Sequence, residues 1–128
     1  MLWSAPVGMA VPQITIRLDH TTKAAFEAYA AKFGLMASEL AKLLIIREQL
    51  HGRLAGAIAR GELRERQRRA GGRDDPLPKI TAHFSTLEQV AAFDAHIAKF
   101  GGKRPVVGIW LLEDELRERW LERAINAK

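Results

Sequence analysis

The chain has 128 residues, 48% of them hydrophobic and none of them cysteine, which allows one core and excludes disulfides and thiolate metal sites. A formal charge of +5 and a pI of ≈ 10.0 suit a polyanionic partner, although where the charge sits matters more than its sum. No apolar run approaches the roughly 20 residues that span a bilayer, and the opening lacks the basic start and long apolar stretch of a secretory signal, so a cytoplasmic protein is expected.

Residues 1–11 carry no periodic pattern and read as a flexible arm. Pro12-Gln13-Ile14-Thr15-Ile16-Arg17-Leu18 then alternates polar and apolar residues, the period of a half-buried strand. Asp19 or Thr21 can cap a helix running to about Phe33, with Phe26, Tyr29, Ala30 and Phe33 on one face. Gly34 supplies a left-handed end. A second helix starts near Ala37 or Ser38, carries Leu40, Leu43, Leu44, Leu50 and Leu54, and extends to about Arg60, weakened by Gly52 and Gly56 at roughly 1 kcal/mol each relative to alanine.

Residues 61–77 form a basic linker: Gly61 to Arg69 suits an exposed helical extension, and the paired glycines and proline of 70–76 require a loop. Its arginines are either a solvated face or additional phosphate contacts. The pattern then restarts. Pro78-Lys79-Ile80-Thr81-Ala82-His83-Phe84 repeats the strand, and a short helix carries Val90, Phe93, Ile97 and Phe100. Gly101-Gly102 ends that helix, and Pro105 sits in the first turn of a last one running to about Ala127, with Val106, Ile109, Trp110, Leu112, Leu116, Trp120 and Ile125 available for burial. Trp110 and Trp120 are expected in the core or at a chain–chain interface rather than stacked on bases.

The two halves match residue by residue. Ala25-Phe26-Glu27-Ala28-Tyr29-Ala30-Ala31-Lys32-Phe33-Gly34 aligns with Ala92-Phe93-Asp94-Ala95-His96-Ile97-Ala98-Lys99-Phe100-Gly101. The strands align at an offset of 66 and these helices at 67. Two lone strands of one pattern should pair with each other, with Gln13, Thr15, Arg17, Lys79, Thr81 and His83 on the outer face. Those side chains suit the reading of base edges.

A strand followed by two helices, starting from Pro12-Gln13-Ile14-Thr15-Ile16-Arg17-Leu18 and turning through Gly34-Leu35-Met36-Ala37-Ser38-Glu39-Leu40, resembles the ribbon-helix-helix proteins of the Arc, MetJ and CopG type. The duplication is similar to the tandem, TraY-type proteins of conjugative transfer. The resemblance covers about residues 12–54 and 78–125. It implies a mainly α fold with a two-stranded antiparallel β-ribbon, in which two ribbon-helix-helix units, 12–60 and 78–128, share one core as an intramolecular pseudo-dimer. A folded monomer is therefore expected. It also implies a ribbon that enters the major groove of double-stranded DNA.

On that basis the starts of the two second helices should clamp phosphates, because free amides and the helix dipole favour an anion there. The residues are Met36, Ala37 and Ser38 in one half and Lys103, Arg104 and Val106 in the other. The chain departs from the family in having Met36 and Lys103 where a serine or threonine cap is usual, and in Pro105, which lacks an amide. The bound site should therefore be asymmetric, or a direct repeat if chains line up on DNA.

The expected function is sequence-specific DNA binding without catalysis. The chain would act as a transcriptional regulator, or as an accessory factor of plasmid or conjugative transfer with a relaxase or transfer-machinery partner and further self-association on DNA. It would be cytoplasmic, associated with nucleoid or plasmid. The alternative is a protein-interaction module that kept the fold and lost DNA binding. No cofactor, metal or membrane contact is expected. His20, His51, His83 and His96 lack close ligand spacing, Asp94 and His96 do not face one another on a helix, and no nucleophile elbow, phosphate loop or carboxylate pair is present.

Overall fold

The computed structural model describes residues 11–63 and 77–126; the expected arm before Val11 and most of the arginine-rich linker lie outside them. Alternation in the two strand segments is realised as β1 (Gln13–Arg17) and β2 (Lys79–His83), with Ile14, Ile16, Ile80 and Ala82 buried. The strands pair antiparallel into a two-stranded sheet, with Gln13 opposite His83, Thr15 opposite Thr81 and Arg17 opposite Lys79. Thr15 thus meets the residue 66 positions later, its own counterpart, and their hydroxyls lie 3.3 Å apart. The ribbon is extended alike at both ends, by Leu18 N–H donating to Pro78 O (3.1 Å) and Phe84 N–H to Pro12 O (2.7 Å).

The other elements among the described residues are helices. α1 (His20–Ala31) is capped by the Asp19 carboxylate, which accepts from Thr22 N–H at 2.7 Å, and Gly34 (φ 73) turns the chain out of it. α2 (Ala37–His51) buries Leu40, Ala41, Leu44, Ile45 and Glu48, and α3 (Leu54–Ala59) buries Leu54 and Ala57. In the second half α4 (Leu87–Ala98) starts from a capping box of Thr86 and Gln89. α5 (Arg104–Glu118) carries Pro105 in its first turn, and α6 (Trp120–Asn126) follows. α1 and α4 have 12 residues each, α2 and α5 have 15 each, and their starts are 67 positions apart.

Two expected long helices are each broken. Gly52 (φ 58) separates α2 from α3, and Arg119 (φ 53), 67 positions later, separates α5 from α6. Ile125, available for burial had the last helix run unbroken, is 54% exposed, and Leu50, in the last turn of α2, is 73% exposed. Phe100, beyond the end of α4, is also exposed.

One apolar cluster joins both halves, including Ile14, Ile16, Phe26, Leu40, Leu44, Ile80, Phe84, Phe93, Ile109 and Trp110. The long helices cross over: α2 packs on β2, and α5 packs on β1. A second crossed set of contacts is polar. Glu48 accepts from the Arg53 and Leu54 amides (3.0 Å each), capping α3, and bonds His96 Nε2 of the other half at 2.8 Å. Its counterpart Glu115 accepts from Leu121 N–H (2.8 Å) and from the Tyr29 hydroxyl (2.6 Å), and Tyr29 is the counterpart of His96. Nearby, Arg53 pairs with Asp114 at 2.5 Å, whereas the positions matching this pair hold Trp120 and Arg47, stacked at 4.3 Å. Each half thus locks the other through the same places with partly different chemistry.

Burial, with the donated bond to Glu115 next in weight, pushes the Tyr29 phenol up to about 12. The unfolded chain loses that proton near pH 10, so the folded state binds more protons above it, and stability should be intact below about pH 10 and fall as the pH rises through 12. Tyr29 is the only tyrosine. Its tyrosinate absorbance should therefore titrate about two units later in native protein than in urea; coincident curves would refute the buried bond.

Candidate nucleic-acid interface

Because Ile14 and Ile16 face the core, pleating sends Gln13, Thr15 and Arg17 outward, and the same holds for Lys79, Thr81 and His83 around Ile80 and Ala82. The structure therefore gathers all six expected ribbon residues on one face. Arg17, Lys79 and His83 are exposed; Gln13, Thr15 and Thr81 are half-buried. Arg17 Nη1 donates to the Leu77 carbonyl at 2.8 Å, which holds the guanidinium alongside the start of β2.

The start of α2 lies beside this ribbon. Met36, Ala37 and Ser38 line an open cleft of about 200 Å³ together with Lys79, Ile80, Thr81, Lys23 and Glu27. Two of the three expected amides are unengaged: those of Ala37 and Ser38 make no hydrogen bond among the described residues, whereas Met36 N–H donates to the Glu39 carboxylate at 2.7 Å. At the rim Lys23 and Glu27 form an exposed pair at 2.6 Å.

The corresponding start of α5 is built differently. Lys103 is exposed and makes no ion pair among the described residues. Arg104 is held by Asp94 through two bonds, Nε to Oδ1 at 3.0 Å and Nη2 to Oδ2 at 2.5 Å, and this contact raises the guanidinium's pKa further. Val106 is buried, so its side chain belongs to the core rather than to a phosphate contact. No family model, curated protein or solved structure matches this chain.

Lys23 and Glu27, and the pairing of Asp94 with Arg104, stand out only in the folded chain. The repeat alignment carries a signal for the two acids, since Glu27 and Asp94 are counterparts, each engaged by a cation, from its own helix in one case and from the start of α5 in the other. Among the described residues no group of three or more histidines and carboxylates could hold a metal ion, and no helix is long and apolar enough to cross a membrane.

Proposed function

We propose that the chain binds duplex DNA sequence-specifically as an intramolecular pseudo-dimer of two ribbon-helix-helix units, with the β1–β2 ribbon in the major groove. The observation that carries this reading is the register. Antiparallel pairing centred on Thr15 and its counterpart Thr81 is what a two-fold relation between the halves requires, and it leaves six polar side chains in one outward row. Two strands about 4.8 Å apart fit a groove about 12 Å wide, where every base pair has its own donor and acceptor pattern. The cleft that joins the ribbon to the start of α2 gives a backbone phosphate two free amides on the same side as the bases.

In this reading Arg17 donates its fork to guanine O6 and N7, exchanging the Leu77 carbonyl for the base. Arg17→Ala should then cost about 1–3 kcal/mol at one base pair and relax the preference there. The experiment is selection of bound duplexes from a random pool at about 0.15 M salt, with wild type and variant in parallel. A motif that loses one base in the variant supports the reading; a motif unchanged by Arg17→Ala, or none, refutes it.

Two uses suit such a chain, occlusion of a promoter and marking of a transfer origin for a relaxase, and the neighbouring genes would separate them. The contacts that already occupy Arg17 and Arg104 favour a different reading, a protein-interaction module of the same fold. For that module Arg17→Ala and Lys79→Ala would leave function intact.

A further inference from the structure

The two ends of the ribbon are not alike. At one end the register sets Arg17 opposite Lys79, two exposed cations; at the other it sets Gln13 opposite His83. A two-fold relation exchanges Gln13 with Lys79 and Arg17 with His83, so the difference lies in side chains and not in the fold. The flanking helix starts differ in the opposite sense. Among the described residues the charged side chains at the start of α2 beside Lys79 are Lys23, Glu27 and Glu39, a net negative set with its one lysine already paired. α5 packs on β1 with Gly108 against Ile16; Lys103 and Arg104 stand at its start and, with Asp94 of α4, already neutralised by Arg104, make a net positive set. Val106 stands where the first half has Glu39.

Resting on the DNA-binding reading above, we infer that the two half-sites do different work. The Arg17/Lys79 end selects guanines, because both side chains prefer O6 and N7 and the described residues at the start of α2 add no net positive charge there. The two-fold relation that sets Met36, Ala37 and Ser38 beside Lys79 assigns the start of α5 to the Gln13/His83 end; there Lys103 holds phosphates, because an ammonium over a helix start acts on any sequence, and Gln13 and His83 add at most an adenine-leaning choice. The ligand is a duplex with direction: guanines concentrated in one half, and a second half that is gripped more than it is read.

The test is random-duplex selection with the full chain, its Lys103→Ala variant and the double variant Gln13→Lys/His83→Arg, which gives both ribbon ends the same outward side chains at exposed or half-buried positions. Wild type should yield a motif with guanine preference in one half only. Arg17→Ala should lower discrimination there about 5- to 150-fold. Lys103→Ala should weaken all duplexes alike and reduce the salt slope by about 1. The double variant should select an inverted repeat with guanines in both halves. A palindromic wild-type motif, or a double variant that keeps the one-sided motif, overturns the division of work and leaves the DNA-binding reading standing. Absence of any selected motif overturns both.

Discussion

Glu48→Ala is expected to destabilise the chain by about 3–5 kcal/mol, measured as a shift of the urea midpoint with an unchanged slope. The carboxylate is 2% exposed and uses both oxygens. It holds the amides of Arg53 and Leu54, which have no partner within α3 because they stand at its start, and it anchors His96 from the other half. Removing it strands the buried Leu54 amide and leaves the half-buried Arg53 amide and His96 ring nitrogen without this partner, each at a cost of about 1–3 kcal/mol if water cannot reach it. Glu27→Ala is the comparison. It removes a carboxylate just as close to its cation, 2.6 Å from Lys23, but exposed, and should cost at most about 1 kcal/mol. Equal losses from the two substitutions would mean that Glu48 is not the clasp between the halves.

That clasp marks the limit of what could be read from the chain. The strands, a helix cap at Asp19 or Thr21, the Gly34 turn and Pro105 each depend on neighbours within a few residues, and all are legible as pattern, the fold choosing Asp19 for the cap. The pairing of β1 with β2 was legible too, because two lone strands of one pattern have no other partner. Breaks after α2 and α5 were not. A glycine inside a helical pattern signals about 1 kcal/mol of weakness and no more; what ends α2 at Gly52 is the capture of the next amides by a buried carboxylate four residues back. Arg119 gives no local sign at all, since a non-glycine residue rarely takes positive φ. Only its alignment with Gly52 betrays it. Ile125 is exposed for the same reason, because only a helix carried through the break at Arg119 would keep it in phase with the core.

At the candidate interface the ribbon row was legible in full, since strand alternation decides which side chains face outward. The helix starts were legible only as places. Whether a cation there is available depends on an acid from another element, and Asp94, which takes up Arg104, lies ten residues away in a different helix. Charge counting in the sequence treats Lys103 and Arg104 as equivalent; the fold does not.

The contact of Gly108 with Ile16 supplies the other large effect. A methyl group placed on Gly108 would lie 2.7 Å from Ile16 Cγ1 and 3.2 Å from its Cδ1, in the seam where α5 crosses β1. Ile16 is fully buried and β-branched, so it cannot swing aside. Gly108→Ala should therefore cost about 1–3 kcal/mol through overpacking, outweighing the roughly 1 kcal/mol that alanine gains in a helix. Ile16→Ala should cost about 2–5 kcal/mol by opening a cavity. The other half already holds the alternative solution: the counterparts of Gly108 and Ile16 are Ala41 and Ala82, both fully buried where α2 crosses β2. In an Ile16→Ala background, then, Gly108→Ala should become stabilising, because its methyl enters the space that the isoleucine vacated. The sign of one substitution should reverse with the other, a coupling of about 1 kcal/mol or more in a double-mutant cycle read by urea unfolding. Additive losses would mean that the helix and strand do not share this seam, and the crossed packing that lets two halves act as one core would lose its main steric support.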